Sequence, residues 1–219
     1  MLRSLPSFRG KYRIGTIIQK TLMGQSEYQQ PEVMVKMKKD FELLVDIRSQ
    51  SHLGAFWCGE YDSSLIQKFC DLFQEDWVVL DIGANVGYYT IPMAQRLKEL
   101  NGELYAFEPL TENYNALVRS AKQNSLSNAT IEKIGLGEKH EKLGITLTEA
   151  GETGNAVITN DALMAERGWE AQEYIQIERL DDFAETHQVD RCDFIKVDIE
   201  GAEVLFLRGA KEIITKHRP

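Results

Sequence analysis

The chain has 219 residues, of which 43% are hydrophobic and 27% are charged, and its formal net charge is −9. This length and composition predict one globular domain of ordinary size and exclude a disordered or collagen-like chain. Residues 1–39 carry eight basic and two acidic residues, whereas the rest of the chain carries 17 basic and 32 acidic ones. The overall acidity predicts no nucleic-acid partner. The basic first segment is expected to be a solvated arm, with contact to an anionic partner or a membrane surface as the alternative.

Targeting signals and cysteines narrow the class of protein further. No apolar run is long enough for a membrane-spanning helix, and the basic N-terminus lacks the apolar stretch of a signal peptide. We therefore expect no integral membrane segment and a cytoplasmic location. The three cysteines, Cys58, Cys70 and Cys192, have no C-x-x-C spacing. Neither a disulfide framework nor a zinc site is predicted.

The hydrophobic pattern changes along the chain and predicts its secondary structure. Residues 32–48 predict two β-segments that are joined at residues 38–40, and residues 62–74 carry apolar side chains at helical spacing. From residue 77 onwards, apolar runs typical of strands that are buried on both faces alternate with amphipathic helices. The predicted strands are 77–82, 103–107, 129–136 and 192–197, and the predicted helices are 89–100, 111–124 and 201–216.

This alternation of strands and helices predicts the class of fold. Strand-helix-strand units with right-handed crossovers build a mostly parallel sheet, so we expect an α/β protein. Residues 139–180 interrupt the alternation. They contain short β-like segments that are separated by glycine, glutamate and asparagine residues. We interpret them as a β insertion near the mouth of the site.

A glycine loop lies between the first of these strands and its helix, where open α/β sheets bind ligands. Its sequence, DIGANVG, contains Gly83 and Gly87 but has Asn85 in place of the middle glycine of a dinucleotide-binding loop. Asp81, at the end of the strand, would repel a pyrophosphate and attract the ammonium group of a ligand. No G-x-x-x-x-G-K-[ST] motif occurs, so a P-loop nucleotide triphosphatase is not predicted.

A second acidic residue completes the predicted pocket. Glu108 ends the next strand, about 20 residues after Gly87, where a carboxylate accepts hydrogen bonds from ribose hydroxyls and disfavours a 2′-phosphate. Leu136, at the end of the third strand, is expected to pack on an adenine ring. A ribose, a positive group and no phosphate together describe S-adenosylmethionine, which we predict as the cofactor. For the glycine loop alone, a structural turn remains the alternative.

Five segments of the chain resemble one known family. VVLDIGANVGYYT, YAFEPLTENY, IGLGE, IQIERLDDF and DFIKVDIEGAEVLFLRGA are similar, in this order, to the FkbM family of methyltransferases. The resemblance implies a Rossmann-like, doubly wound sheet of seven strands. It also implies methyl transfer from S-adenosylmethionine, usually to a hydroxyl of a sugar, a polyketide or another small molecule. The resemblance begins near Gly59, so we expect a methyltransferase domain at residues 59–219, incomplete at its C-terminus. Residues 1–58 are then an N-terminal β/α extension, with a basic segment and a β hairpin.

The end of the chain departs from the family pattern. The resemblance implies further strands after the last helix, and Pro219 stands where the next strand would start. We therefore expect the C-terminal strands of the family fold to be missing and the edge of the fourth strand to be exposed. Covering that edge would require a second copy of the chain in a homo-oligomer, or the N-terminal β-segment.

Two carboxylates follow the fourth strand and are the candidate catalytic residues. We predict that Asp198 acts as a general base or orients the substrate, that Glu200 assists it, and that both face a small-molecule acceptor such as a glycan. Capping of the next helix is the alternative for each residue. Two carboxylates without a third ligand do not predict a metal ion. The rival functions are methylation of nitrogen on a protein or small amine, and a scaffold that binds the cofactor or a partner without turnover.

Overall fold

The computed structural model describes most of the chain, namely residues 31–146 and 170–219 with short pieces at 10, 13–15, 17, 157–159 and 166. The strands are β1 (Glu32–Lys36), β2 (Glu42–Asp46), β3 (Val78–Ile82), β4 (Glu103–Phe107), β5 (Ala129–Glu132), β6 (Gly135–Leu136), β7 (Glu141–Thr146), β8 (Val157–Thr159), β9 (Glu173–Glu178) and β10 (Phe194–Val197). The helices are α1 (Gln50–Cys58), α2 (Ser63–Leu72), α3 (Thr90–Glu99), α4 (Thr111–Gln123), α5 (Leu180–His187), α6 (Glu203–Gly209) and α7 (Lys211–His217).

The central sheet has four described strands, all parallel, in the order β10-β3-β4-β5. Alternate residues of its strands face opposite sides, because successive side chains of a strand point in opposite directions. Val79 and Leu104 join one core cluster with Leu117 of α4, whereas Leu80 joins a second cluster with Phe183 of α5. Helices therefore cover both faces of the sheet. The predicted Rossmann-like, doubly wound α/β fold is confirmed.

The N-terminal β-segments form an antiparallel hairpin of β1 and β2, as predicted. The hairpin packs on α4, where the backbone N–H of Leu44 donates to Ser120 Oγ at 2.9 Å. The hairpin is a separate sheet and does not pair with β10, so within the described residues it does not cover the free edge of that strand, which was one of the two alternatives. The domain boundary after residue 58 stays a prediction. Residues from both sides of it share one core cluster.

The predicted β insertion is present as a second sheet in the order β6-β9-β7-β8. The sequence pattern predicts one strand over residues 129–136, but the structure divides it between the two sheets. Gly135 explains the division. A Cβ atom there would lie 2.6 Å from Ile177 Cδ1, so glycine allows β6 to approach β9 closely and pair with it in parallel. Parts of the predicted pieces near residues 148 and 156 lie outside the described residues.

The predicted helix over residues 201–216 is two helices, α6 and α7, that meet at Ala210. The buried carboxylate of Asp181 on α5 explains the break. Its Oδ1 atom accepts the backbone N–H groups of Glu212 and Ile213 at 3.1 Å, which gives α7 a separate N-terminus. None of the helices in the described part of the chain has the length and apolar character that a membrane crossing needs.

Candidate functional site

The glycine loop lies at the carboxyl end of β3, between the ends of β4 and β10. A Cβ atom on Gly83 would lie 2.1 Å from the carbonyl oxygen of Asp198, and one on Gly87 would lie 2.7 Å from Leu117 Cδ1. Gly83, Asn85 and Gly87 also have positive φ angles of 75°, 52° and 102°. Both glycines are therefore required by close approach as well as by backbone conformation.

Every backbone N–H group of residues 83–87 has an acceptor within the protein. Gly83 and Ala84 both donate to the carbonyl oxygen of Phe107 at 3.0 Å, and Gly87 donates to that of Ala84 at 3.0 Å. Asn85 donates to Glu108 Oε2 at 2.9 Å, and Val86 donates to Asn85 Oδ1 at 2.7 Å. A phosphate-binding loop needs free N–H groups that point at the ligand. This loop is thus closed on itself and offers no such cradle.

Glu108 links the loop to the end of β4. Its side chain is buried, and Oε1 accepts the N–H of Leu110 at 3.1 Å and the amide of Asn113 at 3.4 Å. Burial raises the pKa of Glu108 to about 7, although these hydrogen bonds and the one from Asn85 favour the ionised form. A carboxylate oxygen has two acceptor sites, so Oε1 is filled and Oε2, which accepts only the N–H of Asn85, can accept one further hydrogen bond. The structure brings Glu108 and Asn85 together as a pair that can also receive a hydroxyl group.

Asp81 is fully buried at 0% exposure, and both of its oxygens have partners. The hydroxyl of Thr90 donates to Oδ2 at 2.6 Å, and Lys196 Nζ lies 3.0 Å from Oδ1. Lys196, the only charged residue in β10, was not among the residues that the sequence pattern indicated. Attraction of a ligand's ammonium by Asp81 stays a prediction. The ion pair with Lys196 already neutralises this carboxylate.

An apolar cleft, open to solvent, lies beside the loop. Its lining is apolar and suits a flat ring. Leu136 lines it, and its packing on an adenine ring stays a prediction; β9 of the insertion contributes Ile175 and Ile177, which the sequence pattern did not place at the site. The remaining lining residues are Ile82, Gly83, Phe107, Pro109, Gly135, Ile199 and Ala202.

Asp198 and Glu200 are both exposed after the end of β10. Partial burial and the nearby charge of Asp198 raise the pKa of Glu200, which places the two carboxylates close enough to interact. The backbone N–H groups of Ile199 and Gly201 donate to Glu203 Oε1 at 3.3 and 3.2 Å. Glu203 therefore stabilises the turn before α6. The N-cap of α6 is Ala202 and no side-chain hydrogen bond caps this helix, so neither Asp198 nor Glu200 has the capping role here. Within the described residues, no group of three or more His, Cys, Asp or Glu side chains is placed to hold a metal ion.

An aromatic cluster stands on the same side of the molecule as Asp198. Tyr61 stacks on Tyr88 with ring centroids 4.1 Å apart, and the hydroxyl of Tyr89 donates to Asp62 Oδ2 at 2.6 Å. Burial raises the pKa of Tyr61, and the charge of Asp198 adds to this effect. Asp198 is thus near enough to Tyr61 for its charge to act on that hydroxyl.

Two curated proteins are similar to this chain. Methyltransferase 1 of Beauveria bassiana is 26% identical over 152 residues, which are 63% of this chain and 59% of that protein. Methyltransferase sdnD of Sordaria araneosa is 26% identical over 159 residues, which are 61% of this chain and 60% of that protein. The chain therefore spans about 60% of the length of these curated relatives.

The chain is also similar to solved methyltransferase structures and to one protein family. The crystal structure of methyltransferase FkbM from Methylobacillus flagellatus is 20% identical, with a TM-score of 0.46 over 80% of this chain and 43% of that chain. The crystal structure of M. jannaschii TYW2 in complex with AdoMet is 22% identical, with a TM-score of 0.37 over 48% of this chain and 43% of that chain. Residues 81–219 match the methyltransferase FkbM domain family. Because that match covers more than half of the sequence, this chain belongs to the FkbM methyltransferase domain family.

Proposed function

We propose that this chain transfers a methyl group from S-adenosylmethionine to a hydroxyl group of a small molecule, such as a sugar or a polyketide. Membership of the family and the names of both curated relatives support methyl transfer. The closed glycine loop is the observation that favours this cofactor. A loop whose N–H groups are all occupied favours a nucleoside without phosphate over a dinucleotide or a nucleotide triphosphate.

The proposed cofactor site uses the residues around this loop. Glu108 accepts a ribose hydroxyl, and Leu136 packs on the adenine ring inside the apolar cleft. Gly83, Asn85 and Gly87 give the loop the shape that brings Asn85 to Glu108. Asp81, near the end of the strand that precedes the loop, is the remaining proposed cofactor-binding residue.

Asp198 and Glu200 are the proposed catalytic residues. S-adenosylmethionine supplies an electrophilic methyl carbon that is bonded to a sulfonium sulfur. The acceptor oxygen bonds to this carbon while the carbon–sulfur bond breaks, and Asp198 takes the proton of the hydroxyl. The exposed position of Asp198 beside the tyrosine cluster lets an acceptor reach it. Glu200 orients the acceptor from the adjoining turn.

Calorimetric titration with S-adenosylhomocysteine, together with a turnover assay on hydroxyl and amine acceptors, tests this function. Glu108→Ala is expected to weaken binding by roughly 1–3 kcal/mol, because the ribose loses a charged hydrogen-bond acceptor. Glu103→Ala is the matched control, since Glu103 is an exposed glutamate at the opposite end of β4, and its affinity should equal that of the wild type.

Each result of these experiments has a definite meaning. Wild-type protein that does not bind S-adenosylhomocysteine, or Glu108→Ala protein with unchanged affinity, would contradict the proposed site. Methyl transfer to amines alone would replace hydroxyl methylation with nitrogen methylation. Tight binding with no turnover on any acceptor would favour the non-catalytic scaffold.

A further inference from the structure

Lys196 places a buried cation inside the proposed site. It lies opposite Asp81 in the register of β10 and β3, and its side chain is only 9% exposed. The ammonium nitrogen lies 3.0 Å from Asp81 Oδ1, donates to the carbonyl oxygen of Gly83 at 3.0 Å, and lies 5.0 Å from the centroid of the Tyr89 ring. An anion, a carbonyl dipole and an aromatic face thus surround one ammonium group.

These contacts make the ion pair a fixed part of the fold. A buried charge is very unfavourable unless it is paired and hydrogen-bonded, and loss of one partner leaves the other charge uncompensated. The Thr90 hydroxyl donates to Asp81 Oδ2, whereas Oδ1 is buried without a hydrogen bond in the described structure and has the ammonium group of Lys196, 3.0 Å away, as its ion-pair partner. A buried carboxylate beside a carbonyl would suit the ammonium of a ligand. The chain fills that place with an ammonium group of its own.

Lys196 also determines the position of the glycine loop. Gly83 is held on both sides, because its N–H donates to the carbonyl oxygen of Phe107 on β4 and its carbonyl oxygen accepts from Lys196 on β10. Two residues later, the N–H of Asn85 donates to Glu108. A displacement of Lys196 would therefore move the loop whose Asn85 binds Glu108, the residue that receives the ribose.

We propose that Lys196 is a positioning residue of the cofactor site. Asp81 then acts on the cofactor through Lys196 and the glycine loop, and not through a bond to the ammonium of the ligand's amino-acid part. This inference rests on the proposed function, since it requires that the cleft takes S-adenosylmethionine. It assigns to Lys196 a role that the sequence motif, with its emphasis on Asp81, does not indicate.

Two ligands separate the two roles of Asp81. S-adenosylhomocysteine carries an amino-acid part, whereas 5′-methylthioadenosine has the same nucleoside and a thioether but no amino-acid part. Asp81→Asn and Lys196→Met are each expected to raise the Kd of both ligands by the same factor, on the order of tenfold, because both ligands use the loop. An Asp81→Asn variant that weakens S-adenosylhomocysteine alone would overturn the inference.

A double variant keeps the test valid if Lys196→Met does not fold. Asp81→Asn with Lys196→Met removes both charges together, so it leaves no unpaired buried charge. Its loss of affinity should equal that of a single variant, as expected for residues that act as a unit. Lys142→Met is the matched control, since Lys142 also lies over a tyrosine ring, at 4.7 Å from that of Tyr174, but in the second sheet.

The remaining outcomes are equally decisive. A folded double variant that binds both ligands as tightly as the wild type would overturn the positioning role and leave the proposed function intact. Wild-type protein that binds neither ligand would overturn the proposed function and the inference together. Equal losses for both ligands in the single and double variants, with Lys142→Met unchanged, would support the positioning role.

Discussion

Glu108 has a buried carboxyl group, and burial raises its pKa from the usual 4.5 to about 7. In the unfolded chain the same group loses its proton near pH 4.5, so the folded protein retains a proton that the unfolded chain releases. The contribution of Glu108 to the free energy of unfolding is therefore largest, and most stabilising, below pH 4.5. It falls as the pH rises towards and beyond 7, by roughly 3 kcal/mol in total.

Glu108→Gln tests this pH dependence. The neutral amide has no proton to lose, so the variant should gain stability relative to the wild type by roughly 2–3 kcal/mol between pH 5 and pH 8. Urea unfolding of both proteins at the two pH values measures the difference. Glu103→Gln, at the exposed end of β4, should show no such change. A constant difference between Glu108→Gln and wild type would mean that Glu108 titrates near its usual pKa.

Asp198→Asn tests the proposed catalytic base. It should lower kcat by a factor on the order of 10²–10⁴ on an acceptor that the wild type methylates, because the amide does not accept the hydroxyl proton. The Kd of S-adenosylhomocysteine should stay unchanged, since no loop contact depends on this exposed carboxylate. Asp190→Asn is the control, an exposed aspartate before the opposite end of β10. Full turnover by Asp198→Asn would exclude the role as general base.

Site residues that belong to a sequence motif can be predicted from the sequence. Site residues that reach the site only through the pairing of distant strands cannot. Gly83, Asn85 and Glu108 follow strand ends, and parallel strands bring their carboxyl ends to one edge, so their proximity could be predicted. Lys196 stands in the apolar strand FIKV. Nothing local indicates that its partner is Asp81, because the pairing of β10 with β3 spans more than a hundred residues of sequence.

The same distinction holds for secondary-structure elements. β3 and β4 could be predicted almost to the residue, because each is an apolar run that is buried on both faces. The pattern gave no indication of α1 and α5, which have nine and eight residues and lack a long apolar stripe. The break between α6 and α7 depends on Asp181, which belongs to another element. Short elements and their ends are determined by tertiary contacts more than by local pattern.

The β insertion gives a prediction for a whole element. Ile177 of β9 lines the apolar cleft, so Ile177→Ala should weaken binding of 5′-methylthioadenosine by about 1 kcal/mol through loss of apolar contact with the adenine ring. Gln176→Ala is the control, because Gln176 is the neighbouring exposed residue of the same strand. Calorimetry measures both affinities. Equal affinities of the two variants for 5′-methylthioadenosine would mean that the insertion does not contact the cofactor. Its role would then be to bind the acceptor.

At the scale of the whole molecule, the site lies where the two larger sheets meet. The central sheet supplies the glycine loop, Glu108, Lys196 and the turn with Asp198, and the second sheet supplies one wall of the cleft. The core on one side of the central sheet also contains the N-terminal hairpin. A ligand that joins these units should therefore stabilise the folded state as a whole and not one element alone.

Thermal unfolding with different ligands measures this stabilisation. A ligand that binds only the folded protein, at a hundred times its Kd, adds about 2.7 kcal/mol, which corresponds to a rise in Tm of roughly 5–10 °C for a chain of this size. S-adenosylhomocysteine should produce this rise. NAD should not, because Asn85 Oδ1 and Glu108 already accept the N–H groups of Val86 and Asn85 that a pyrophosphate would need. A rise with NAD and none with S-adenosylhomocysteine would mean that the loop opens to bind phosphate, and the proposed cofactor would then be wrong.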